Sequence, residues 1–500
     1  MASGASPQPA EASARQLGFT AARGSVWLML SQAPMLPLGA GLILFLTRAL
    51  GPEDYGRYAT VMAILMWADW GGSALLSRAT NKRVAQAQDT VAAAAAMLRL
   101  ALAIGLAGAV VLFSAAGPLG SLLGDPELAP LFRLAAIDLP LFITARTYLS
   151  IHSGANAYGK RAISEAVFWP IRLLGAVLLV WGGLGVPGAI LATVAASACE
   201  LAIAACLFPV NWLARGSTTY ISRHWILNDL LPLFGSAMAL RITEGYDLLC
   251  VRVFVEDDIA VGAYAVAMNV GVIFALAGGA LFFPLMTLTA QLRRLGHDEQ
   301  TRRVARTAML GTLWLVPPTA AVMMASETLT LLIFGEPYAL TGRLLAVLVW
   351  AGWARVAIAL GGSILAGATD SRWAWWSAAA ALPLTLILIP IFANSWGGWG
   401  AAVGSVIGLA PAVLVSAWLL NRLLLVRLTA SQIGWIGATT ALALVAGWLL
   451  PTSDGMAIGY VLAVSALSGF MAWRTGGLNE VFGLMGRQPA TQKGFARATE

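Results

Sequence analysis

The sequence predicts an all-α integral membrane protein of about 14 transmembrane helices, arranged as two pseudo-symmetric six-helix lobes plus two C-terminal helices. Three observations lead there: an apolar composition, apolar runs of bilayer length, and an internal repeat. Of 500 residues, 59% are hydrophobic and 11% charged, and the mean hydropathy is +0.78. Soluble domains carry roughly 45–50% apolar and about 25% charged residues, so much of this chain is solvated by lipid. In a bilayer the backbone must satisfy its own polar groups, which leaves helices or closed barrels. The apolar runs are continuous over about 20 residues instead of alternating over about ten, and this selects helices. A secreted enzyme, a nucleic-acid binder and a disulfide scaffold are excluded together, since Cys199, Cys206 and Cys250 all lie inside apolar runs.

Residues 1–23 form a polar tail rich in Ala, Ser and Pro, expected to be retained and cytosolic because the following apolar run is too long and too late for a cleaved signal. Spans follow at 24–48, 58–78, 91–116, 128–152, 162–183 and 187–209, the expected N-lobe (24–209). Six more at 226–252, 259–290, 304–327, 339–367, 371–393 and 398–421 make the expected C-lobe (226–421). Two final helices occupy 430–450 and 455–473, before a cytosolic tail at 474–500. An even count puts both ends on one side. Most of the 31 cationic residues, Lys82, Arg83, Lys160, Arg161, Arg293 and Arg302 among them, fall in the tails and even-numbered connections. The opposite face carries Glu53, Asp54, Asp125, Glu127, Asp257 and Asp258. The positive-inside rule then sets both termini of this multi-pass protein in the cytoplasm. The net charge of +7 is thereby a topology signal and needs no nucleic-acid partner.

The repeat appears as landmarks at nearly constant spacing. Gly56 and Tyr58-Ala59 recur 206 residues later as Gly262 and Tyr264-Ala265. Arg133 at the start of the fourth span recurs as Arg343 in the tenth, and the deeper Arg146 as Arg355. Arg161 recurs as Arg372, and the connection Gly183-Leu184-Gly185-Val186 as Gly398-Trp399-Gly400-Ala401. Six spans are repeated in one orientation, a transporter architecture with its substrate site expected between the lobes.

The first outer turn, Leu46-Thr47-Arg48-Ala49-Leu50-Gly51-Pro52-Glu53-Asp54-Tyr55-Gly56, resembles the signature of bacterial polysaccharide and O-antigen flippases of the multidrug/oligosaccharidyl-lipid/polysaccharide exporter superfamily. Asp247-Leu248-Leu249 followed by Gly262-Ala263-Tyr264-Ala265, Phe283-Pro284-Leu285-Met286, and the Ile333-Phe334-Gly335-Glu336-Pro337-Tyr338 turn extend the resemblance over about residues 20 to 430. It implies a V-shaped pair of six-helix lobes that alternates between inward and outward openings. The cargo it implies is a polyprenyl-diphosphate-linked glycan, moved to the outer leaflet for polysaccharide biosynthesis. A polysaccharide polymerase and glycosyltransferases are the protein partners such a role calls for. The Gly245-Tyr246-Asp247 start of the seventh span departs from the family's Arg-x-Asp pattern, with Arg241 and Glu244 lying earlier instead.

Ionisable groups inside spans cost at least about 2.5–3.5 kcal/mol each, so they face a cavity, pair, or snorkel. Here they are Arg99, Arg146, Arg172, Arg241 and Arg355 with Asp69, Asp138, Glu200, Glu244 and Asp247. One reading makes them mutual structural pairs. The other makes Arg146, Arg172, Arg355 and Arg241, with Arg48 at the outer end of the first span, the groups that bind a diphosphate by charge-assisted hydrogen bonds. Arg241, Glu244 and Asp247 fall three apart on the seventh span, which suits an ion pair and a spare acid that binds Na⁺ or H⁺, or an arginine with two partners. No cofactor beyond that coupling ion, no metal and no catalytic group is expected: His152, His224 and His297 fall in separate connections, and no outer connection exceeds about a dozen residues. Trp350 and Trp353 flank Arg355 and are candidates to stack on sugars, or to pack against lipid. Pro34, Pro37, Pro317 and Pro318 read as kinks. An ion-coupled drug or metabolite antiporter of the same fold, and a membrane-embedded enzyme or scaffold of polysaccharide assembly, are the alternatives.

Overall fold

The computed structural model describes residues 34–214 and 242–474, apart from residues 88, 213, 256, 295, 370, 427 and 450–453. Among the described residues there is no strand, and eight stretches are long and apolar enough to cross a membrane. Two of those stretches, Tyr158–Leu207 and Arg372–Leu424, run to 50 and 53 residues. At 1.5 Å per residue each is about twice the roughly 30 Å hydrocarbon thickness, so each supplies two crossings. The expected first and seventh spans extend into residues outside the described ones.

The chain divides into two compact units, Met1–Ile242 and Thr243–Glu500. The first contains α1 (Met35–Gln86), α2 (Thr90–Leu122), α3 (Leu128–Ala135), α4 (Asp138–Gly154), α5 (Tyr158–Leu179), a π-helical turn (Val180–Leu184) and α6 (Gly185–Leu207). The second contains α7 (Tyr246–Phe254), α8 (Asp258–Arg294), α9 (Asp298–Leu313), α10 (Val316–Phe334), a 3₁₀ turn (Glu336–Tyr338), α11 (Ala339–Ala368), α12 (Ser371–Ala379), α13 (Leu382–Leu424), α14 (Ala430–Leu449) and α15 (Asp454–Arg474).

Local chemistry sets the boundaries. The expected tight outer turn between the first two spans falls at Gly51, whose φ of 76° and ψ of 174° interrupt the helix, and Pro52 opens the next helical limb. Asp89 caps α2 by accepting from the N–H groups of Val91 and Ala92. The fourth span is not continuous, because Pro140 cannot donate to Ala136 and the helix breaks into α3 and α4. Pro317 and Pro318 break the ninth span in the same way into α9 and α10, and Pro383 separates α12 from α13. Large apolar side chains such as Val110, Val111 and Trp448 stand 64%, 67% and 79% exposed, which suits a lipid-facing surface.

The repeat is visible in conformation. Gly185 (φ 52°, ψ −133°) and Gly397 (φ 63°, ψ −146°) share one unusual backbone state, 212 residues apart. The equivalence is thus Gly185 with Gly397, and the sequence alignment of Gly183 with Gly398 was out of register. Gly124 and Gly335, 211 apart, both hold positive φ before an acid and a proline. In unit one the most buried helix is α4, packed on α1, α2, α5 and α6. In unit two that place belongs to α11, packed on α8, α9, α10, α12 and α13. Each hub ends in a glycine pressed on a neighbouring helix. A Cβ on Gly154 would lie 2.8 Å from the Asn81 carbonyl oxygen, and one on Gly367 would lie 2.3 Å from that of Met286.

The last two helices belong to unit two. Ile436 of α14 and Ala472 of α15 pack with Leu310 and Trp314, and Tyr460 packs with Ala321 and Ala325. Gly352 of α11 meets Gly271 of α8 backbone to backbone, a Cβ there falling 2.5 Å from the Gly271 oxygen. Gly352→Ala should therefore lower the thermal unfolding midpoint of the detergent-solubilised protein, at a cost of about 1–3 kcal/mol. Gly437→Ala, with nothing within 4 Å of its Cβ, should leave the midpoint unchanged; equal midpoints for the two variants would refute this packing.

Candidate functional site

Helical periodicity draws the ionisable residues of unit one into stripes. Asp138, Phe142 and Arg146 share one face of α4, and Arg161, Glu165, Phe168, Trp169 and Arg172 share one of α5. Ser197 and Glu200 lie on α6, and the second limb of α1 adds Tyr58 and Asp69. The Arg146 guanidinium stands 3.6 Å from Glu165 and 3.6 Å from Glu200. Its Cζ lies 4.8 Å from the Phe142 ring and 5.6 Å from Phe168, within cation–π range. Arg161 sits 3.6 Å from Glu165 and donates to Ser153. Arg172 donates to the Tyr58 hydroxyl at 3.0 Å and lies over Phe168 and Trp169.

The cluster is dense and incompletely hydrogen-bonded. Asp138 and Glu200 are 0% exposed and Asp69 is 5% exposed. Among the described residues, the Nε donors of Arg146 and Arg172 and both carboxylate oxygens of Asp138 and of Glu200 lack a hydrogen-bond partner. Yet 24% of the Arg146 side chain is exposed. Arg146 is thus a clasped cation with one open flank, the arrangement that lets an incoming anion compete for a guanidinium.

Unit two holds its arginine differently. Arg355 on α11 lies 3.6 Å from Asp247 and donates to the Thr243 carbonyl at 3.3 Å. Asp247 accepts from Ser405 of α13 at 3.0 Å and from its neighbour's N–H, Leu248, also at 3.0 Å. Tyr264, the repeat counterpart of Tyr58, is fully buried beside the same carboxylate. Only 9% of the Arg355 side chain is exposed. Asp247, one of the two acids expected to bind a coupling ion, is not spare: Arg355 engages it. Nor do Glu244 and Asp247 share a helical face, because left-handed Gly245 (φ 87°) breaks the span and Glu244 sits half-buried in the turn before α7. Arg241 lies outside the described residues.

Arg48 is exposed near the end of the first limb of α1, at a shallow pocket it lines with Leu44, Phe45, Ala49 and Trp181. Arg99 leaves the interior set, as it donates to the carbonyls of Trp212 and Ala214. His152 is no connection residue: it is fully buried in the last turn of α4, stacked near Tyr148 and Phe208. The indole N–H groups of Trp350 and Trp353 go to Met323 and to the Thr312 carbonyl, so both rings are committed to helix packing. Sequence reading missed Glu165, Tyr58 and Trp169. The i, i+4 spacing of Arg161 and Glu165 was the available signal for the first.

Residues 21–288 match the model of a family described as polysaccharide biosynthesis protein. The chain belongs to that family. A polysaccharide-biosynthesis relative from Rhizobium meliloti (strain 1021), named succinoglycan biosynthesis transport protein ExoT, is 26% identical over 66% of this chain and 65% of its own length. The chain thus spans just under two thirds of that relative. A second, from Haloferax volcanii and named probable low-salt glycan biosynthesis flippase Agl15, is 24% identical over 83% of this chain and 86% of its own. Among solved structures the fold is similar to one titled lipid II flippase MurJ, inward closed conformation. The TM-score is 0.72 at 13% identity, covering 90% of this chain and 99% of the other. It is also similar to an inward-facing multidrug resistance MATE family transporter, with a TM-score of 0.65 at 16% identity over 81% and 98% of the two chains. At these identities the structures establish a shared fold of a multi-helix membrane transporter.

The buried pair in unit two gives a direct expectation. Removing one partner of a buried ion pair costs about 3–5 kcal/mol, whereas replacing both is often near neutral. Arg355→Met should lower the unfolding midpoint of the solubilised protein, and adding Asp247→Asn should restore most of the loss. A double variant no more stable than the single would show that the two side chains are not coupled.

Proposed function

We propose that the chain is a flippase. In this reading it carries a polyprenyl-diphosphate-linked oligosaccharide from the inner to the outer leaflet of the cytoplasmic membrane by alternating access, serving polysaccharide biosynthesis. The observation that carries the reading is Arg146: a guanidinium deep in an apolar unit, partly exposed, with an unused Nε donor. A lipid diphosphate must take its negative charge through hydrocarbon, and arginine remains protonated throughout while offering a fork that matches phosphate oxygens. Arg172 and Arg355 are the further cations assigned to the cargo, with Arg241 completing the set and Arg48 receiving the headgroup at the outer end. Phe142, Phe168 and Trp169 surround the unit-one arginines with aromatic faces of the kind sugars stack on. The naming of the two relatives as a succinoglycan transport protein and a glycan flippase supports the same reading. Glycosyltransferases and a polymerase would act on either side of the step, with both termini in the cytoplasm.

One observation favours a second reading. The unit-one cluster contains four acids, Asp69, Asp138, Glu165 and Glu200, against Arg146, Arg161 and Arg172. An acid excess suits a cationic drug, as in an antiporter of the same fold. Charge-balanced variants separate the two: Arg146→Met with Glu200→Gln, combined with Arg355→Met and Asp247→Asn, removes each deep arginine together with one acid paired to it. The flippase reading expects this protein to reach the membrane at wild-type level while lipid-linked glycan accumulates about tenfold on the inner leaflet, a change of about 1.4 kcal/mol in the controlling step. Unchanged surface polysaccharide with altered drug export would favour the antiporter.

A further inference from the structure

Resting on the flippase reading, we infer that Glu200 is a proton acceptor coupled to cargo: it takes up one proton when a diphosphate occupies Arg146. The argument begins with how the two acids beside Arg146 differ. Glu165 on α5 has a second cation, Arg161, at 3.6 Å. Glu200 on α6 has Arg146 as its one cation within ion-pair distance among the described residues, and it is 0% exposed. Neither of its carboxylate oxygens meets a hydrogen-bond donor among the described residues. The other charged groups that act on it are Glu165 and Arg161 from α5 and Asp138 from α4, with Asp69 of α1 beyond Asp138. Three of those four are acids.

A phosphate oxygen that takes the Arg146 fork therefore leaves the two glutamates in different positions. Glu165 keeps Arg161. Glu200 is left fully buried and facing Glu165, Asp138 and the new anion, with Arg161, itself paired to Glu165, as the remaining cation that acts on it. An ionised carboxylate so placed is strongly disfavoured by both desolvation and like charge, and the neutral acid is not. The balance is simple: the Glu200 carboxylate gains one H⁺ from solvent, the Arg146 ion pair to it is broken, and the arginine–phosphate pair is made. No group is oxidised or transferred. The sign follows from linkage, since the occupied state binds more protons than the empty one, so affinity for a diphosphate rises as pH falls. Asp247 does not repeat the device in unit two, because Ser405 and the Leu248 N–H still donate to it when Arg355 is drawn away.

The test is calorimetric binding of farnesyl diphosphate to the purified full-length protein in detergent at about pH 8, in two buffers of different ionisation enthalpy. The difference in heat gives the protons taken up. Wild type should take up about one more proton per ligand than Glu200→Gln, since protons exchanged by the ligand itself are common to both, and its affinity should fall by up to about tenfold per pH unit. Glu200→Gln, which presents the neutral form permanently, should bind at least about threefold more tightly at pH 8 and lose the pH dependence. Glu165→Gln should retain the uptake. Binding with equal uptake in wild type and Glu200→Gln overturns the inference and leaves the flippase reading standing. Failure of wild type to bind the diphosphate at all overturns the cargo assignment and this inference with it.

Discussion

A charge in the low-dielectric interior of a membrane needs a partner, and the rest of this molecule is arranged around that need. Each unit folds about a hub helix, α4 or α11, and each hub carries one deep arginine, Arg146 or Arg355. The surrounding helices are placed so that carboxylates reach those guanidiniums at 3.6 Å. Small residues make the approach feasible. Gly105, Gly154, Gly352 and Gly367 sit where a Cβ would strike the backbone of a neighbouring helix, so the helices close to distances at which the buried groups can meet.

The two units solve the problem to different degrees. In unit two the ion pair is reinforced by Ser405, by the Thr243 carbonyl and by a backbone N–H at the start of α7, and the arginine is nearly inaccessible. In unit one the arginine lies among carboxylates that do not fully hydrogen-bond it, against aromatic faces, with a flank exposed. A closed pair stabilises a fold; an incompletely satisfied one can be exchanged for a ligand. In the proposed flippase, that asymmetry between repeat-equivalent positions assigns the anionic cargo to the unit-one arginine and makes the acids around Arg146 part of how it is admitted.

Much of the architecture was legible in the chain because membrane folds obey few rules. Apolar run length gave the all-helical membrane class, and recurring Gly, Tyr-Ala and Arg landmarks gave the repeat that Gly185 and Gly397 now register in backbone conformation. What escaped was local: Pro140 divides a span that composition reads as continuous. The deep arginines were readable from their cost in hydrocarbon. Their partners were not, since Glu200 is 54 residues from Arg146 and Asp247 is 108 from Arg355, and periodicity orders residues on one helix without ordering helices around each other. Tyr58 and Tyr264 were read as repeat markers, and their nearness to Arg172 and Asp247 emerges only from packing.

The account stands or falls on whether the carboxylate clasp on Arg146 opens for a phosphate. The direct measurement is a high-resolution structure of the protein with a polyprenyl diphosphate bound, in lipid nanodiscs. The expected result is a phosphate oxygen within hydrogen-bond distance of the Arg146 guanidinium, with Glu200 turned away and Glu165 still on Arg161. A bound diphosphate lying elsewhere, with Arg146 held between Glu165 and Glu200 as it is now, would contradict it.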